Sequence, residues 1–117
     1  MYKRQVAEFV KGEVDDLETV WDIAEYLHDL GITGHREDPL TCPVARFLNV
    51  RLNEAFGSGY QTYVDADFVR IEDGYHEYEH IGELPLGLKI QAFIVNFDKL
   101  EYPDLLINKV PLPNRFS

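Results

Sequence analysis

Tyr60-Gln61-Thr62-Tyr63-Val64, Phe68-Val69-Arg70-Ile71 and then Asp73-Gly74 form the stretch that decides the class of this chain. Both runs are rich in β-branched and aromatic residues, which suit a pleated surface. Asp-Gly is a strong two-residue hairpin signal, because both turn positions need positive φ. The pattern predicts strands over 60–64 and 68–71 and a returning strand over 75–81. A helix-only fold is thereby excluded.

Outward from this region the period changes from two to 3.6. On the N-terminal side a helix is expected from about Asp16 to Leu30, capped by Asp15 or Asp16 and stopped at Gly31. Leu17, Val20, Trp21, Ile23, Ala24, Leu27 and Leu30 form its apolar side. A second helix is expected from Pro43, a preferred first-turn residue, to Phe56, with Thr41 or Cys42 as the cap and Gly57-Ser58-Gly59 as the stop. On the C-terminal side, Leu86, Ile90, Phe93, Ile94, Phe97 and Leu100 predict a third helix from Pro85 to about Asp98. Leu105 to Ile107 is expected to dock, and 108–117 to run extended. Residues 1–14 read as an arm or short element, because Gly12 interrupts the spacing of Val6, Val10 and Val14. The expected architecture is a single α+β domain over 1–117: two N-terminal helices, a small antiparallel sheet of about three strands, and a third helix packed on it. Trp21, Phe93 and Phe97 are expected to meet in its core.

Composition narrows the class of function. The chain has 117 residues, 45% of them hydrophobic, which argues against disorder. No apolar run reaches the roughly 18 residues of a membrane span, and no secretory segment is recognisable, so a cytoplasmic protein without membrane contact is expected. The lone Cys42 agrees with a reducing compartment. Twenty-one acids against eleven Lys and Arg give a net charge of −10. Such a balance disfavours direct binding to nucleic acid or anionic lipid and suits a basic or neutral partner protein.

Two stretches carry a resemblance. One is Asp38-Pro39-Leu40-Thr41-Cys42-Pro43-Val44-Ala45-Arg46-Phe47-Leu48, preceded by Tyr26-Leu27 and Gly31-Ile32-Thr33-Gly34. The other is Leu84-Pro85 with Phe93, Phe97-Asp98 and Tyr102-Pro103-Asp104-Leu105. Together they resemble small uncharacterised acidic proteins of actinobacteria and their bacteriophages, over roughly residues 15 to 107. The resemblance implies a bacterial or phage cytoplasmic protein and carries no activity or functional residue with it.

Three constellations bear on chemistry. His76-Glu77-Tyr78-Glu79-His80 matches the H-E-x-x-H string of zinc peptidases. It follows a hairpin turn, however, and in a strand its two His would lie about 13 Å apart, too far for one zinc. Cys42 at a helix start has the setting of a stabilised thiolate, with His35 as a base for a small hydrolase. The competing reading is a capping or packing residue. Arg46 and Arg51 could hold an anion, or pair with a neighbouring acidic helix. No phosphate loop, dinucleotide-binding glycine pattern or zinc quartet is present, so no cofactor is called for.

The acids are the least ordinary feature. Residues 12 to 35 carry seven of them and no Lys or Arg. On one helix, Glu18, Asp22, Glu25 and Asp29 would form an exposed stripe opposite the apolar side, with like charges at i,i+4. These four are the candidate binding residues. The function expected is a non-enzymatic protein-binding or regulatory module acting through this surface. A second reading is a mimic of nucleic acid, since some acidic phage proteins imitate a phosphate backbone to occupy nucleic-acid-binding proteins. A third is a hydrolase using Cys42 or a zinc site at His76 and His80.

Overall fold

A computed structural model describes residues 2–57, 59–74, 77 and 79–107. It is α+β, with the order α1 (Tyr2–Glu18), α2 (Ile23–Asp29), α3 (Pro43–Phe56), β1 (Tyr60–Val64), β2 (Phe68–Asp73), β3 (Glu79–Pro85), α4 (Leu88–Asp98) and a 3-10 turn at Pro103–Leu105. The strands form one antiparallel sheet in the order β1-β2-β3. Among the described residues no helix is long and apolar enough to cross a membrane.

The period-two reading of the sheet holds. Thr62 and Val64 on β1 stand opposite Ile71 and Val69 on β2, and all four are buried. Tyr63 and Arg70 share the other face, where the Arg70 guanidinium lies 4.4 Å from the Tyr63 ring centre. The hairpin itself is wider than Asp73-Gly74 implies. Asp73 belongs to β2 and pairs with Glu79; the returning strand expected over 75–81 is β3 at Glu79–Pro85, and residues 75, 76 and 78 of that expectation lie outside the described residues. A bulge follows, because Ile71 and Glu72 face Gly82 and His80 and leave Ile81 extra.

α3 packs over β1, and α1 passes over β3. α1 lies close over this strand at Gly82, where a Cβ would stand in ordinary contact with the Ala7 methyl at 3.6 Å. A buried polar link seats α3. The Thr62 amide and hydroxyl both donate to Asn49 Oδ1, at 3.0 and 2.9 Å, beside the Ala45 carbonyl at 3.2 Å.

The N-terminal segment corrects the expectation of an arm. Residues 2–18 form a full helix whose Val6, Val10, Val14 and Leu17 are buried. Gly12 costs a helix interior about 1 kcal/mol, whereas each buried Val or Leu contributes about 1.5–3 kcal/mol. Four such residues outweigh one glycine. Gly12 itself is exposed.

The helix expected over 16–30 is also corrected: it is two helices with a break at 19–22. Thr19 turns its hydroxyl back to the Asp16 carbonyl, at 2.7 Å, as α1 ends. Asp22 then caps α2 by accepting the Glu25 amide at 3.1 Å. α2 stops as the glycine predicts. Gly31 has φ 74°, its amide donates to His28 O, and the Ile32 amide donates to Leu27 O, which together make a Schellman motif.

The last helix starts at Leu88 rather than Pro85, which ends β3. Phe93 and Phe97 are buried on it and stack at 6.3 Å, and Tyr102 stacks on Phe93 at 5.2 Å. Leu105 docks as expected, and Gly34 bridges to Leu106 alongside it. The extended tail expected over 108–117 lies outside the described residues.

Candidate functional site

The break at 19–22 redistributes the four residues of the expected acidic stripe. Glu18 ends α1 half-buried, and its carboxylate accepts the Lys89 and Ile90 amides at 2.8 and 3.0 Å. It is therefore the cap of α4, whose own capping residue, Gly87, has no side chain to offer. A Cβ at Gly87 would collide with the Glu18 carboxylate, so that glycine makes room for the cap. Asp22 caps α2. Only Glu25 and Asp29 are exposed helix-surface acids of the kind expected. Glu18 and Asp22 are not an i,i+4 pair on one helix, because no helix joins them.

The same break turns Trp21 outward. Expected in the core, it is 95% exposed. Without a helical turn at 19–22, its position is no longer on the apolar side that carries Leu17 and Ile23 inward.

Trp21 rims a hollow of about 320 Å³ between the start of α2 and α4, with Asp22, Lys89, Asn96, Phe93 and Tyr102 among its walls. A second hollow, about 390 Å³, adjoins it and shares Asp22, Ala24 and Tyr102 as walls. Its further walls include Glu25, His28, Glu101, Pro103 and Asp104. The two adjoining hollows make up a groove in two parts, with Trp21 on the first and Glu101 and Asp104 on the second. Four carboxylates, Asp22, Glu25, Glu101 and Asp104, line it against one lysine, Lys89. Among the described residues none of these four carboxylates forms an ion pair.

No protein-family model matches this chain, and no curated protein or solved structure matches it either. The reading of the site therefore rests on its own geometry.

A cleft on another side of the molecule, about 290 Å³, is lined by Glu37, Asp38, Asp65 and Asp98 with Pro39, Cys42, Val64 and Ile94. Three of these four carboxylates are tied into the fold, and the Glu37 carboxylate pairs with Arg36 at 3.7 Å. Asp38 accepts the Leu40 amide at 3.0 Å, Asp98 accepts the Glu37 amide at 2.9 Å, and Asp65 accepts the Ala66 amide at 2.7 Å. The Leu40 amide holds the Asp38 carboxyl below its usual range, with the Thr41 hydroxyl assisting. Such bonds explain these acids as loop and turn clasps.

Cys42 is the α3 cap, with its Sγ 3.5 Å from the Ala45 amide. Burial pushes its thiol up to about 11, against the downward pull of the Ala45 and Val44 amides. Desolvation outweighs the helix terminus, so the thiol keeps its proton at neutral pH, which agrees with the capping and packing reading of Cys42. His35 bonds the Thr41 hydroxyl at 2.9 Å. Arg51 pairs with Glu13 of α1 at 2.9 Å and with Glu54 at 3.1 Å, which is the acidic-helix pairing. Of the H-E-x-x-H string, His76 and Tyr78 lie outside the described residues, while Glu79 and His80 open β3 as exposed strand residues. Among the described residues no group of three or more His, Cys, Asp or Glu could hold a metal.

The stripe pattern missed Trp21, Tyr102, Glu101 and Asp104. A signal for the first was present: Asp22-Ile23-Ala24-Glu25 has the spacing of a helix start, an N-cap followed by Glu at its third position. Such a start places Trp21 outside the helix that follows. Tyr102, Glu101 and Asp104 reach the groove from a distant segment and have no local signal.

Proposed function

We propose that this domain is a non-enzymatic protein-binding or regulatory module that docks a basic partner protein on its acidic groove. The observation that carries the reading is Trp21, 95% exposed on the first of two adjoining hollows that together hold four carboxylates and one lysine. An exposed indole leaves a large apolar area in water, and covering it is worth up to about 4–6 kcal/mol. Tryptophan is among the residues that most often dominate binding energy at interfaces. The surrounding acids add attraction at a distance and select the sign of the partner. The acids that remain from the expected binding set enter this reading differently. Asp22 and Glu25 line the groove, Asp29 lies further along α2, and Glu18 serves the fold.

The test compares matched baits. Wild type and a Glu25→Lys, Asp104→Lys variant, the latter changed only at exposed positions, are immobilised and offered the same set of purified basic proteins at two salt concentrations. The reading expects retention by wild type at low salt, weakening at high salt, and loss on the variant. Equal retention by both baits, or retention indifferent to salt, would remove the groove from the interaction.

A further inference from the structure

Resting on that reading, we infer that the groove takes an arginine-bearing segment of its partner, with one guanidinium stacked on the Trp21 indole and the segment's further positive charge directed to the Glu101 and Asp104 end. Charge complementarity and shape both select such a segment. The two hollows adjoin at Asp22, Ala24 and Tyr102, which line both, so an extended segment that crosses this boundary reaches both. The aromatic end offers an uncovered ring, and the acidic end offers carboxylates without ion-pair partners among the described residues. A planar cation satisfies both at once. Guanidinium stacks on an indole face and pairs with carboxylates in a fork, while remaining less strongly hydrated than an ammonium. An anionic segment would meet four like charges. A purely apolar segment would leave those charges desolvated and unpaired. Lysine would satisfy the acidic end but would make less of the ring.

This separates arginine recognition from general attraction to an acidic surface, and the chain supplies its own probe. Trp21 is the one tryptophan in the sequence, so its fluorescence reports the groove alone. The full chain is titrated with capped tetra-arginine and with capped tetra-lysine. Fluorescence and equilibrium dialysis are read in parallel. Tetra-arginine should bind more tightly than tetra-lysine and change Trp21 emission to saturation. Trp21→Ala, which removes an exposed side chain, should weaken tetra-arginine binding about five- to thirty-fold, the range of a cation–π contact, and should abolish the arginine preference. Glu101→Gln, Asp104→Asn should weaken both peptides and flatten the salt response. Dialysis that shows binding with Trp21 emission unmoved, or a Trp21→Ala variant with undiminished arginine preference, would overturn the inference while leaving the acidic-surface reading in place. Absence of binding by either peptide at low salt would overturn both.

Discussion

Replacing Glu18 with alanine should destabilise the domain, although its place in an acid-rich stretch suggests a dispensable surface charge. Its carboxylate holds the Lys89 and Ile90 amides at 2.8 and 3.0 Å across more than seventy residues of sequence. Loss of an ordinary N-cap costs about 0.5–2 kcal/mol. Here both bonds are charge-assisted and half-buried, and the negative charge also faces the positive end of α4, worth about 0.3–1 kcal/mol more. Water can replace part of this, so Glu18→Ala should cost about 2–3 kcal/mol. At roughly 4 °C per kcal/mol for a domain of this size, the melting temperature should fall by about 8–12 °C. Glu18→Gln retains one acceptor and should lose about half as much. Gly87→Ala should mimic the loss, because its methyl would displace the carboxylate from the amides. The two effects share one contact, so the double variant should be less destabilised than the sum by about 1 kcal/mol or more. Urea and thermal denaturation of the four proteins close the cycle. A Glu18→Ala variant within about 0.5 kcal/mol of wild type, or strict additivity with Gly87→Ala, would refute the capping argument.

Other expectations follow from burial and bonding. Trp21→Ala should melt within a degree or two of wild type, whereas Phe97→Ala, at 1% exposure, should cost about 3–5 kcal/mol and can unfold the domain; calorimetry separates them. The folded Cys42 thiol keeps its proton up to about 11, while the unfolded one releases it near 9. The folded state then binds more protons between these values, so stability is full below about 9 and falls as pH rises toward about 11. Urea midpoints over that interval should show a shallower decline in Cys42→Ala, and native Cys42 should react with a thiol reagent far more slowly than after unfolding. Thr62→Val removes one of two donors to Asn49 Oδ1 inside the α3–β1 contact and should cost about 1–2 kcal/mol, read from urea midpoints.

The α+β class, the first two strands, the Cys42-Pro43 helix start and the Gly31 stop were all legible in the sequence. Each is a local signal: side-chain alternation, a missing amide hydrogen, a residue that tolerates positive φ. Val6, Val10 and Val14 were legible as a helical face too, but the weight against Gly12 depends on how much area the sheet and α3 cover, which no local window contains. The region from Glu18 to Asp22 marks the boundary most clearly. Its apolar spacing suits one continuous helix, and Asp22 with Glu25 suits a new start, so local propensities leave both open. The choice is coupled to α4, whose first amides need an acceptor that Gly87 cannot provide. Once Glu18 supplies it and α2 restarts after its cap at Asp22, Trp21 faces water on a hollow it shares with Tyr102, and the hollow next to that one holds Glu101 and Asp104, all about eighty positions away in sequence. Sequence alone determined that this protein would be acidic and what its strands and helices would be built from. Tertiary structure alone decided which acids serve the fold and which, with one exposed tryptophan, form a groove, because unpaired amides and buried area are satisfied across space rather than along the chain.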